Sequence, residues 1–117
     1  MVSLARNTKR PVWVASHTIV NGVRTYGTPV LHNWNWRGLN SGADMFAFGP
    51  EYMDYRKAVT TNADVENLKR FDAVWMDTTP ANPSDQLASD ADFYVLGVTP
   101  GQGGVAEVTF KRMSADG

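Results

Sequence analysis

The chain has 117 residues, 43% of them apolar and 20% charged, and a net charge of −1. That length suits one domain with a single core and excludes two ordinary ones; the composition excludes a disordered chain, and the charge excludes a global field drawing nucleic acid or anionic membrane. With no Cys in the sequence, disulfides, thiolate metal sites and Cys nucleophiles are excluded too.

No apolar run approaches the roughly 20 residues needed to span a bilayer, so no membrane partner is expected. Residues 1–10 carry a small basic patch of Arg6, Lys9 and Arg10 and no apolar leader core. They read as a flexible arm on a protein retained in the cell that makes it. Residues 11–113 read as one domain and 114–117 as a tail.

Residues 11–20, "PVWVASHTIV", are β-branched and aromatic and predict a strand. Asn21-Gly22 is a two-residue hairpin signal, because both residue types tolerate positive φ. Residues 23–36 predict the return strand, with an edge or bulge near Gly27 and Pro29, since Pro has no amide to donate. A two-residue turn places His17 opposite Tyr26 and His32 opposite Pro11. Val30, His32, Trp34 and Trp36 alternate with Leu31, Asn33 and Asn35, so the two Trp share one face.

Residues 38–50, "GLNSGADMFAFGP", predict a long loop that is both rich in Gly and carries Met45, Phe46 and Phe48. Residues 51–61 predict a third strand, and 62–71 one helical turn or two with Asn62 as the candidate cap. A short strand follows at 71–77, then a polar loop at 78–92. Residues 93–100, a "GQGG" turn and residues 105–113 predict a closing hairpin. Five or six short strands suggest a sandwich or a barrel, and closure would protect the edges. The expected fold is all-β: a small closed or partly open antiparallel barrel with two long loops and one short helical turn.

Little in this pattern resembles catalytic chemistry. His17 and His32 are placed far apart, and neither sits beside a nucleophile. Asp85, Asp90 and Asp92, with Asp77 at the loop's base, do not have the spacing of a calcium loop; a solvated acidic loop is expected. "GQGG" leads into a strand, whereas a phosphate cradle needs a helix. Trp34, Trp36, Tyr52, Tyr55 and Phe93 could form a base-stacking platform, but only Arg37, Arg56 and Lys57 lie near them. Core or interface packing is the expected use of these rings. No catalytic residue, metal or cofactor is assigned.

The order of features resembles the head-completion, or stopper, proteins of tailed bacteriophages, which are head–tail connector subunits. The resemblance spans most of residues 11–113. Gly42, Ala43, Phe48 and Gly49 match a glycine-bounded loop that precedes a strand with Tyr55. Asp72, Trp75 and Asp77 match the next strand, and Asp92, Phe93 and Val95 the start of the last hairpin. Each motif is short; their order carries the likeness. The first hairpin is shorter than is common there, and "TPGQGG" replaces a Ser/Asn-containing turn.

The resemblance implies a virion protein of the neck, made in the host bacterial cytoplasm and not an enzyme. It would form a ring of 6 or 12 copies under the portal and its adaptor, keep packaged double-stranded DNA inside the head, and offer a docking surface to the tail tube or tail terminator. It implies a channel-gating role for the loop containing Gly38, Gly42, Asp44, Met45, Phe46, Phe48 and Gly49; the alternative use of its apolar residues is to fold back over the barrel end. In the gating role Gly would allow movement, apolar side chains would pack around an axis, and Asp44 would repel phosphates. Trp34, Trp36, Asp85 and Asp90 are the expected inter-subunit or partner surface. A tail-terminator or tail-completion ring is the neighbouring alternative. A small-barrel binder of single-stranded nucleic acid is the alternative from another class.

Overall fold

The computed structural model describes residues 9–38 and 53–113. Among the described residues, eight strands and one α-helical turn run in the order β1 Arg10–Ala15, β2 His17–Val20, β3 Val23–Tyr26, β4 Val30–Gly38, β5 Tyr55–Thr61, α1 Asn62–Val65, β6 Ala73–Trp75, β7 Phe93–Pro100 and β8 Val105–Arg112, with a 3-10 turn at Gln102–Gly104 between the last two. Six of them close an antiparallel barrel, ordered β1-β4-β5-β8-β7-β6. The remaining two, β2 and β3, pair only with each other and form an arm.

Alternation explains the barrel. In β8, Ala106, Val108 and Phe110 are buried while Val105 and Glu107 are exposed, as period two requires. β1 sends Val12 and Val14 inward; β4 sends Trp34 and Trp36. Val74 of β6, with Phe93 and Val95 of β7, completes a solid interior, as a barrel this narrow must have. In β7 the register shifts between Val95 and Gly97, which changes the inward parity and lets Val98 pack on the core as well. At the end where β5 stops, Thr61 caps α1 by accepting from the Asp64 amide at 3.2 Å. Val65 and Leu68 then cover that mouth of the barrel.

A second, smaller core lies outside the barrel. Ala15 and Trp13 of β1, and Ala73 and Trp75 of β6, face away from the interior, and Ala88 of the 77–92 loop folds over them. Trp75 is only 2% exposed there.

The structure corrects four local expectations. The first predicted strand breaks at Ser16; with the return strand interrupted at 27–29, where the edge or bulge near Gly27 and Pro29 was expected, the arm separates from the barrel. That break shifts the register by one: Val12, not Pro11, lies opposite His32. His17 does lie opposite Tyr26, across a turn in which Asn21 and Gly22 have φ of 53° and 81°. Residues 53–54, predicted within the third strand, precede its start at Tyr55, and the helix cap is Thr61, whose hydroxyl reaches the Asp64 amide, instead of Asn62.

Candidate functional site

The arm leaves the barrel between β1 and β4, and residues 18–24 at its outer part are all exposed. Ile19, Val20 and Val23 are 62%, 58% and 57% exposed, an uncovered apolar tip. A lone two-stranded hairpin is marginal in water, so this one needs an anchor. Asp72 supplies it. Its carboxylate is fully buried, accepts from the His17 amide at 3.1 Å and lies 2.6 Å from His17 Nδ1. The other oxygen accepts from the Lys69 amide at 2.9 Å, and Lys69 Nζ donates to the His17 carbonyl at 3.1 Å. Two backbone bonds add to the hold: Gly27 N–H to Ser16 O and Tyr26 N–H to Gln86 O, both 2.9 Å.

The 78–92 loop, expected to be solvated and acidic, is mostly exposed, and its acids are turned onto its own backbone and that of β6's end. Asp90 accepts from the Ala81 amide and the Trp75 indole, and Asp85 from the Ser89 and Leu87 amides. Asp92 accepts from the Met76 and Asp77 amides at 2.9 and 2.8 Å and so clamps the end of β6. Hydrogen bonds hold three carboxyls below their ordinary range: Arg56 acts on Asp77, the Ser89 amide first on Asp85, and the Ala81 amide first on Asp90. Arg56 forks onto Asp77 at 2.7 and 2.8 Å. Among the described residues, no group of three or more His, Asp or Glu is placed to hold a metal ion.

Trp34 and Trp36, expected at a partner surface, are 3% and 4% exposed inside the barrel, so they offer no surface. The stacking platform fails for the same reason: Phe93 is fully buried with them. Arg10 lies over the Trp36 ring at 3.5 Å, and His32 stacks on Trp34 at 4.6 Å. Burial pushes the His32 imidazole below its usual range, against the raising effect of Asp64. Asp85 and Asp90 are at the surface, with their carboxylates engaged within the loop.

Gly42, Asp44, Met45, Phe46, Phe48 and Gly49 of the expected channel loop lie outside the described residues, and so does Tyr52. Gly38, the one residue of that loop described, ends β4 opposite Arg56. The motif residues Asp72, Trp75, Asp77, Asp92, Phe93 and Val95 all hold the scaffold together. Sequence reasoning missed the arm's exposed tip, although the run Ile19, Val20, Asn21, Gly22, Val23 already placed apolar residues on both sides of a turn. No helix among the described residues is long and apolar enough to cross a membrane. No protein-family model, no curated protein and no solved structure matches the chain.

Proposed function

We propose that the chain is a structural subunit of the head–tail connector of a tailed bacteriophage, seated as a ring beneath the portal and adaptor. It works by docking. The observation that supports this reading is a closed barrel bearing an arm with Ile19, Val20 and Val23 uncovered. Such a tip has no use in an isolated chain and suits burial by a neighbouring subunit or an adaptor. Ring assembly on a preformed adaptor would also favour a weak single contact repeated by symmetry. The resemblance of the motif order to head-completion proteins adds the location, and it gives the loop of residues 38–50 the task of narrowing the channel.

The test is to mix purified chain with portal–adaptor complexes and tailless heads, and to read ring density and DNA retention by electron microscopy. Added density under the adaptor, with DNA retained, is expected. Ile19→Ser with Val23→Ser should abolish it while leaving the barrel folded. Binding to tail tubes and not to heads would move the protein to the tail side of the joint, as a terminator.

A further inference from the structure

We infer that the cleft at the root of the arm is a binding site for a phosphate-bearing ligand with a planar ring: a nucleotide, free or as a unit of a single strand. The cleft measures about 310 Å³, at the lower end of the roughly 300–1,000 Å³ of small-molecule sites. Arg24, Lys111 and Arg112 bring cations to it; Tyr26, Phe71 and Tyr94 bring rings. Among the described residues no carboxylate lines it.

Two of the three charges there are not cancelled. Arg24 and Lys111 make no ion pair among the described residues. They are held by rings instead. The Arg24 guanidinium lies 4.9 Å from the Phe71 ring, and Lys111 Nζ lies 5.6 Å from that of Tyr55. Arg70 sets a second guanidinium over Phe71, also at 4.9 Å. Cation–π contacts orient a positive group without neutralising it. Arg112 is shared with Asp54 and Asp77 at 3.9 and 3.8 Å, both long contacts. In a chain of net charge −1, these cations are gathered on one cleft.

Phe71 carries the second observation. Its φ is 78°, a left-handed conformation that a bulky side chain adopts only under constraint. Its amide donates to Val95 O at 2.8 Å, and its carbonyl accepts from the Tyr26 hydroxyl at 3.4 Å. The fold thus spends conformational energy to present this ring, 37% exposed, beside Tyr94 at 5.7 Å between centroids. Backbone strain of this kind concentrates at binding sites. An acidic peptide would need the cations but not the rings. A nucleotide uses both: a phosphate for the guanidinium fork and a base for the π surface. This site shares none of its lining residues with the Trp34 and Trp36 platform, and it stands independently of the connector reading.

The full chain is titrated against fluorescein-labelled oligothymidylate by anisotropy, and against uridine monophosphate by NMR of the Phe71 and Tyr94 ring protons. Strand binding should weaken from about 50 to about 200 mM salt with a log–log slope near −2, from about −0.7 for each of three contacts. Arg24→Ala with Lys111→Ala should weaken binding about tenfold, measured at the lower salt. Phe71→Asn removes the ring yet tolerates the positive φ, and should also weaken it. Arg24→Ala alone, at an exposed position, guards against a folding artefact. Binding of both probes, or of the strand or the mononucleotide alone, supports the site and identifies the source of the ligand. No binding of either probe, equal binding by the variants, or displacement of both by oligoglutamate overturns it.

Discussion

The barrel interior and the arm draw on the same β-branched vocabulary and meet opposite fates. Val12, Val14, Val95 and Val108 are enclosed by a sheet that returns on itself, whereas Val20 and Val23 stand in water. Closure gives every barrel strand two neighbours; β2 and β3 have only each other. The barrel therefore stabilises itself, and the arm borrows stability from one buried carboxylate at its root. A molecule arranged this way can bury its arm against a partner without disturbing its core.

Emptying the barrel should have the largest effect. Phe110 is fully buried and stacks on Trp34 at 6.4 Å, so Phe110→Ala should cost about 3–5 kcal/mol in denaturant unfolding. Asp72→Ala comes next, at about 3 kcal/mol, because it strands the His17 amide in a buried site and the Lys69 amide in a half-buried one. Its signature sharpens the comparison: amide exchange should speed up across 17–26 while β5 and β8 stay protected. Equal loss of protection in both regions would mean that the arm is part of the barrel's cooperative unit.

Asp90→Asn is a smaller change, about 1 kcal/mol, and should shift Trp75 emission to the red as the loop lifts. The same loop sets an acid limit. Asp77, Asp85 and Asp90 have folded pKa values below their unfolded ones, so what they contribute is complete above the unfolded value of about 3.9 and is lost as pH falls through the folded values. Amide shifts of Ala81, Leu87 and Ser89 should hold steady on acidification to about pH 4 and move only below it. The smallest stability effect belongs to the arm tip. Ile19→Ser with Val23→Ser should change unfolding free energy by no more than about 0.5 kcal/mol, as exposed substitutions do. A larger loss would show that the tip already packs on its own chain.

The sequence by itself determined the all-β class, the Asn21-Gly22 turn, and that Trp34 and Trp36 share a face. Period two and turn chemistry are local, and a single chain segment carries them. Period two does not say which face is inside. Only the tertiary structure put that Trp pair in the core and covered the outward Trp75 with the 77–92 loop, through pairings between residues 15 or more positions apart. The arm's independence was also beyond reach, because the breaks at Ser16 and 27–29 matter only once β1 pairs with β4 one register away from the hairpin. Likewise Phe71 reads as an ordinary strand residue until a positive φ and two guanidiniums from different segments meet at its ring. Local pattern fixes the elements; long-range closure decides which side chains they leave for a partner.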